Sequence, residues 1–126
     1  MGDIIMSRLI VDAISNSDER DFALVHTWVT FNGTGVVTID NSLNVSSITD
    51  NGTGDYTINF TNSLDNLNYC PVGSCNVNDL EVTGRLMTLP VGGVKTVNSI
   101  RLATITTNNS KEDNKFIAVS ITGGIN

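Results

Sequence analysis

The chain has 126 residues, the size of one domain, and its composition favours β-structure. Asn, Thr and Ser together supply 42 residues, and Val and Ile supply 25, a mixture that suits turns, solvated strand faces and pleated packing. Seven basic residues against thirteen acidic ones give a net charge of −6 with no basic cluster, which excludes a phosphate-neutralising nucleic-acid surface and disfavours an anionic membrane as partner.

The first 22 residues differ in pattern from the rest and predict an N-terminal arm ahead of a β-domain at residues 23–126. The arm contains one short apolar strand followed by the charged stretch 17–21. Because a lone strand has no surface of its own to bury against, we expect it to dock on the sheet of the domain or on a neighbouring subunit. The candidate docking residues are Leu9, Ile10, Val11 and Ile14.

The arm has no signature of export or membrane insertion. Asp3, Arg8 and Asp12 interrupt its apolar residues before a secretory-type core can form. No apolar run in the sequence approaches the ~20 residues that cross a bilayer. We therefore expect synthesis in the cytoplasm and no membrane insertion, with translation starting at Met1 or Met6.

From residue 23 onward, strand-forming runs alternate with turn residues at the spacing of an antiparallel β-sandwich. Along one run, Tyr56, Ile58 and Phe60 point to the same side, which indicates a half-buried strand. The polar run 108–114 predicts an exposed hairpin loop between the last two strands. We predict an all-β fold with eight strands, at residues 23–31, 36–40, 45–49, 55–61, 67–73, 79–89, 95–106 and 115–122.

Two near-duplicate segments begin nineteen residues apart, Asn32-Gly33-Thr34-Gly35-Val36-Val37-Thr38-Ile39-Asp40 and Asn51-Gly52-Thr53-Gly54-Asp55-Tyr56-Thr57-Ile58-Asn59. Asn-Gly favours positive backbone dihedrals, so each copy predicts a tight turn that leads into a strand. Two copies are too few for a solenoid and indicate two similar hairpin corners within one domain. The predicted structural turn residues are Asn32, Gly33, Gly35, Asn51, Gly52 and Gly54.

Few residue types in the chain are suited to catalysis or metal binding. His26 is the only histidine, and it shares a strand face with Trp28 and Thr30, so we interpret it as a surface or interface neighbour of Trp28. Cys70 and Cys75 flank a segment that is able to turn, but a cytoplasmic product favours reduced, structural thiols. The sequence is compatible with either a disulfide or two free thiols. One histidine and two cysteines do not complete a four-ligand zinc site.

The loop at residues 50–55 places two aspartates around an Asn-Gly turn, and paired carboxylates of this kind make it a candidate calcium site. It lacks the alternating oxygen ligands and the distal glutamate of a calcium-binding loop, so a structural turn is favoured. We predict no catalytic residue, no metal and no cofactor. The aromatic residues have two possible roles. They could pack in the core or in a subunit interface, or they could form an apolar platform for a sugar ring.

Three strings carry a resemblance to a known family. They are Thr27-Trp28-Val29-Thr30-Phe31-Asn32-Gly33-Thr34-Gly35, Val45-Ser46-Ser47-Ile48-Thr49-Asp50-Asn51-Gly52-Thr53-Gly54-Asp55-Tyr56-Thr57, and Asn68-Tyr69. They resemble a module of bacteriophage tail-fibre and virion-appendage proteins, including the cyanophage type, whereas the sequence beyond Cys70 matches that pattern weakly. The resemblance implies a non-enzymatic virion protein, a homotrimeric tail-fibre or appendage component that contributes to host attachment.

The resemblance also implies partners and leaves alternatives. Its partners would be further copies of itself, other virion proteins, and a host-surface glycan or protein. A capsid decoration or head-fibre protein and a tail adaptor are alternatives within the same class. A glycan-degrading enzyme is the alternative from another class, and it would need two carboxyl groups roughly 5–10 Å apart across a cleft.

Overall fold

A computed structural model of the chain describes residues 25–77, 85–90, 92 and 95–126, and within these ranges it has eight β-strands and no helix. Each predicted strand overlaps an observed one, which confirms the all-β prediction. The strands are β1 Val25–Asn32, β2 Thr38–Leu43, β3 Val45–Gly52, β4 Asp55–Phe60, β5 Tyr69–Asn76, β6 Arg85–Thr88, β7 Ser99–Thr106 and β8 Phe116–Gly123.

The strands form two four-stranded sheets, and every strand pair is antiparallel. Sheet 1 has the order β2-β1-β8-β5, and sheet 2 has the order β3-β4-β7-β6. Between β2 and β3 the chain turns from one sheet to the other at Asn44, which has a φ of 58°. The Asn44 side chain fixes this corner, because its amide donates to Thr27 Oγ1 at 3.0 Å and its Oδ1 accepts the Asn62 N–H at 2.8 Å.

The inward faces of the two sheets form one core, as the alternation of residues in β4 predicted. Tyr56 packs edge-on against Phe31 with 5.3 Å between ring centroids, and Phe60 packs edge-on against Tyr69 at 6.1 Å. Burying one such ring or an isoleucine contributes about 1.5–3 kcal/mol. The core residues are Val29, Phe31, Val45, Tyr56, Ile58, Phe60, Leu64, Tyr69, Ile100, Leu102, Ile117, Val119 and Ile121.

The loop between β7 and β8 is not the hairpin that its polar sequence predicted. β7 lies in sheet 2 and β8 in sheet 1, so the loop crosses from one sheet to the other. After its exposed tip the loop folds back on β7, where the Thr104 hydroxyl donates to the Glu112 carbonyl oxygen at 2.6 Å. Asn114 is fully buried. The prediction was wrong because local polarity does not determine the sheet to which the next strand belongs.

Both cysteines are free and lie in one extended strand, β5. Five residues of strand separate their Cα atoms by ~16 Å, well beyond the ~7 Å limit for a disulfide. The tight turn considered between Cys70 and Cys75 is therefore absent, because β5 pairs without interruption with β8. Burial raises the pKa of the Cys75 thiol, which favours its protonated form.

The predicted arm, residues 1–22 with Leu9, Ile10, Val11 and Ile14, lies outside the described residues.

Candidate functional site

The two near-duplicate segments form the β1–β2 and β3–β4 connections. Their positive φ angles are not at the asparagines. In the first connection only Gly35 has a positive φ, +61°, whereas in the second Gly52 has +125° and Gly54 has +61°. Asn32 acts through its side chain instead, because its Oδ1 accepts the Thr34 N–H at 2.9 Å.

Two of these glycines allow other elements to approach closely. A Cβ on Gly33 would lie 2.7 Å from Tyr56 Cζ and 2.8 Å from Ile117 Cδ1. A Cβ on Gly54 would lie 2.5 Å from the Glu112 nitrogen and 2.6 Å from the Thr104 carbonyl oxygen. Gly33 is therefore needed for space, and Gly54 for both space and backbone conformation.

Five residues around the second turn form what we call the turn cluster: Asp55, Tyr56, Arg101, Lys111 and Asp113. The Asp55 carboxylate, only 4% exposed, accepts two parallel hydrogen bonds from Arg101, at 2.8 and 2.9 Å. Lys111 Nζ lies 2.5 Å from Asp55 Oδ2. Arg101, and after it Lys111, hold the pKa of Asp55 well below its usual range, although burial acts in the opposite direction.

Tyr56 and Asp113 connect this cluster to both turns. The Tyr56 hydroxyl lies 3.0 Å from the Gly33 carbonyl oxygen and 2.9 Å from Asp113 Oδ1. The same Asp113 oxygen accepts the Gly54 N–H at 2.7 Å. Burial, and then the Asp113 carboxylate, raise the pKa of Tyr56, so the phenol stays protonated.

The contacts of the turn cluster are those of a structural site. Both oxygens of Asp55 are occupied by cationic donors, and the low pKa keeps its carboxylate ionised. Asp50, the other aspartate of the candidate calcium loop, caps its own turn by accepting the Gly52 N–H at 2.9 Å. Within the described ranges no three His, Cys, Asp or Glu side chains are placed to hold a metal ion.

The turn cluster has no signature in the sequence, because its members are far apart in the chain. Arg101 and Lys111 lie 46 and 56 residues after Asp55. No local pattern marks such a pair. The one indirect signal is the polarity of the 108–114 run, which predicts an exposed loop and also supplies Lys111 and Asp113 to the cluster.

A second feature is the outer face of sheet 1, defined as the side of β2, β1, β8 and β5 that points away from the core. Leu43, Trp28, Ser120 and Val72 lie side by side across the four strands. The next row contains Asn41, Thr30, Ala118 and Ser74.

A groove of about 480 Å³ runs across the outer face of sheet 1. Its lining contains no charged residue. The side chains of Trp28, Thr30, Ser74 and Ser120, which line it, form no hydrogen bond with another described residue. The groove therefore presents an apolar surface with uncommitted hydroxyl groups and one indole ring.

On the outer face of sheet 2, the polar side chains of β3 and β4 bond to one another. The Asn59 amide donates to the hydroxyls of Ser47 at 3.1 Å and Thr49 at 2.9 Å. The Asn51 amide donates to the Thr57 hydroxyl at 2.8 Å. The β3–β4 half of this face therefore satisfies its own hydrogen-bonding groups, whereas its β6–β7 half exposes Leu86. The groove of sheet 1 differs because it combines an indole ring with hydroxyl groups that have no hydrogen-bond partner among the described residues.

His26, Trp28 and Thr30 share the outward side of β1, as their spacing predicted. All three are half-buried, whereas the intervening Thr27 and Val29 are fully buried. His26 lines a second groove, of about 450 Å³, together with Leu43 and other residues. It is therefore a neighbour of the outer face of sheet 1 and not part of the turn cluster.

Within the ranges that the structure describes, no helix is long and apolar enough to cross a membrane. No protein-family model, curated protein or solved structure matches this chain.

Proposed function

We propose that this protein is a non-enzymatic structural component of a bacteriophage virion, a homotrimeric tail-fibre or appendage protein that contributes to host attachment. It would be synthesised in the host cytoplasm and reside in the virion. The resemblance of the strings at residues 27–35 and 45–57 to such modules supports the assignment. Its partners would be copies of itself, other virion proteins, and a host-surface glycan or protein.

The observation that carries the proposal is the contrast between the two outer faces. On the outer side of sheet 2, the polar side chains of β3 and β4 bond to one another, as Asn59 does with Ser47 and Thr49. The outer side of sheet 1 carries a groove that has no charged lining residue and contains Trp28. A β-sandwich that exposes an uncharged groove with an indole ring suits a protein whose role is to hold and contact other macromolecules.

The rival function is degradation of a host-surface glycan. Catalysis would require a carboxyl group free to exchange a proton or attack a sugar. The ion pairs of Asp55 with Arg101 and Lys111 oppose this use, because they occupy its oxygens and lower its pKa. Incubation with envelope polysaccharide followed by an assay for new reducing ends tests the rival. The proposal would be overturned if reducing ends are released and a substitution of one carboxylate residue abolishes their release.

Localisation in the particle tests the proposal directly. Antibodies against the purified protein should label phage particles, and cryo-electron microscopy should place its density in a fibre or appendage with three copies per unit. Density on the capsid would favour a decoration or head-fibre protein, and density between tail and fibre would favour an adaptor. Absence from purified particles, while the protein is made in infected cells, would contradict a virion role.

A further inference from the structure

We propose that a groove on the outer face of sheet 2, which we call the cationic groove, binds the carboxylate group of an acidic sugar such as a hexuronate. Arg101 and Lys111 of the turn cluster line it and would supply the anion site. The choice of a sugar as the molecule that carries the carboxylate rests on the host-surface glycan of the proposed function.

The cationic groove has a volume of about 420 Å³ and lies over β6 and β7. Arg101 points into it from β7, between the inward-facing Ile100 and Leu102, which are buried. Lys111 reaches it from the loop between β7 and β8. None of the other lining residues is charged. A groove of this volume is large enough for a single sugar ring.

The two cations of the groove share a single anion. Arg101 Nη2 and Lys111 Nζ bind the same oxygen, Asp55 Oδ2, at 2.9 and 2.5 Å. The two nitrogens therefore lie within ~5.5 Å of each other, a distance at which like charges repel. Because Asp55 carries one negative charge against two positive ones, one positive charge is left without an anion. A ligand carboxylate in the groove removes this imbalance.

The neighbouring acidic side chains do not supply that anion. Glu112 Oε2 lies 2.8 Å from Arg85 Nε. Asp113 Oδ1 binds the Tyr56 hydroxyl and the Gly54 N–H. Neither carboxylate lines the groove. The groove is therefore a local positive site on a chain whose net charge is −6, and it is complementary to a negatively charged ligand.

Both cations keep N–H groups for a ligand. A guanidinium has five N–H donors, and Asp55 accepts one from Nε and one from Nη2 of Arg101. Of the three that remain, one on Nη1 and one on Nη2 are parallel, which matches the two oxygens of a carboxylate. Lys111 Nζ has three donors and gives one to Asp55. The side chains of Arg101 and Lys111 are 42% and 45% exposed, so a ligand can reach these donors from solvent.

The remaining lining of the groove suits a sugar ring. Leu89, Pro90 and Ile105 offer apolar surface to the C–H groups of such a ring. The side-chain amide of Asn109 has no hydrogen-bond partner among the described residues, so it can donate to and accept from ring hydroxyls. A carboxylate on a rigid ring also loses less conformational freedom on binding than one on a flexible peptide side chain. The groove therefore favours an acidic sugar over an acidic peptide.

Titration of the nitrogen-15-labelled full chain, followed by NMR at neutral pH, measures the binding, with glucuronate as the probe. Glucose is the matched ligand, because it carries a hydroxymethyl group where glucuronate carries the carboxylate. We expect glucuronate to shift the Arg101 Nε–H signal and the amide signals of β7 with a Kd of about 1–10 mM, and glucose to shift neither. Sodium chloride at about 0.5 M should weaken the binding, because salt screens exposed charges.

Two pairs of variants test whether the cationic groove is the site. Lys111→Gln should raise the Kd for glucuronate by about threefold or more, whereas Lys115→Gln, which removes the same charge outside the groove, should leave it unchanged. Leu89→Asp places a negative charge in the groove and should raise the Kd by about fivefold or more. Its control is Val72→Asp, at an exposed site in sheet 1. Circular dichroism establishes that each variant is folded, and a pair with an unfolded member is replaced by the other pair.

Three outcomes overturn the inference. The first is an equal response to glucuronate and glucose, including no response to either. The second is equal weakening by the groove variants and their controls, which would place the site elsewhere. The third is binding of a blocked glutamate, acetylated and amidated, that is as tight as binding of glucuronate, which would assign the carboxylate to a protein partner. A chain that is found in virions but does not bind glucuronate would contradict this inference alone, whereas a chain that binds glucuronate but is absent from particles would contradict the proposed function alone.

Discussion

The hydroxyl of Tyr56 lies 3.0 Å from the carbonyl oxygen of Gly33, which joins the two near-duplicate segments of the chain. The Tyr56 ring is fully buried against Phe31, so the hydroxyl is held at this position by packing. Its second acceptor, Asp113, also binds the backbone of Gly54. One phenol therefore connects both turns and the loop between β7 and β8.

Tyr56→Phe should destabilise the protein by about 1–2 kcal/mol, because the ring packing is kept while the one hydroxyl hydrogen that Gly33 and Asp113 share as acceptors is lost. Urea unfolding at neutral pH measures the change. Asp113→Asn is the companion variant, since it keeps an oxygen at the Tyr56 hydroxyl and removes the charge. An unchanged midpoint for Tyr56→Phe would show that the hydroxyl does not stabilise the turns.

Asp55 should make the protein sensitive to acid. Arg101 and Lys111 lower its pKa in the folded state below the ordinary value of 3.8, so the folded state binds this proton more weakly than the unfolded state. The stabilisation is therefore complete above pH ~4 and is lost as the pH falls below the unfolded-state pKa towards the folded one.

Asp55→Asn should lower the free energy of unfolding by roughly 1–3 kcal/mol at pH 7 and flatten its fall below pH 4. Asp40→Asn, at an exposed site, is the control and should keep the wild-type slope. Unfolding in urea at several pH values between 7 and 2.5 compares the three proteins. Identical slopes for wild type and Asp55→Asn would contradict the role of the ion pairs.

Among substitutions in the second turn, Gly54→Val should destabilise the protein most, Gly52→Val less, and Thr53→Val least. At Gly52 the cost is backbone strain alone, about 1–3 kcal/mol, because nothing lies within 4 Å of a Cβ there. At Gly54 the same strain is joined by overlap with the backbone of Glu112 and Thr104. Melting temperatures of the three variants check the order, and equal values would contradict it.

Deletion of residues 1–22 tests the predicted arm. We expect the shortened chain to keep a β-rich circular dichroism spectrum and cooperative melting, because the core residues from Val29 to Ile121 remain. We also expect it to be lost from assembled particles, since the arm would provide the attachment strand. An unfolded product would place the arm in the core, and normal incorporation would place the attachment surface on the β-domain.

The sequence by itself determined the approximate positions of the strands and the inward side of β4. β-Branched and aromatic residues alternate with polar ones over short stretches, and Gly, Asn and Asp interrupt them, so each strand is specified by its own neighbours. Tyr56, Ile58 and Phe60 illustrate this, because their spacing alone indicated the buried side of β4. The acidic net charge of −6 likewise follows from the sequence alone.

Only the tertiary structure decided which strands pair and which polar groups meet. β7 and β8 are consecutive in the chain but belong to different sheets, which their own residues do not encode. Asp55 meets Arg101 and Lys111 only because β4 pairs with β7 and the next loop folds back over it. These contacts join residues 46 and 56 positions apart, and their pairing depends on global packing rather than local propensity.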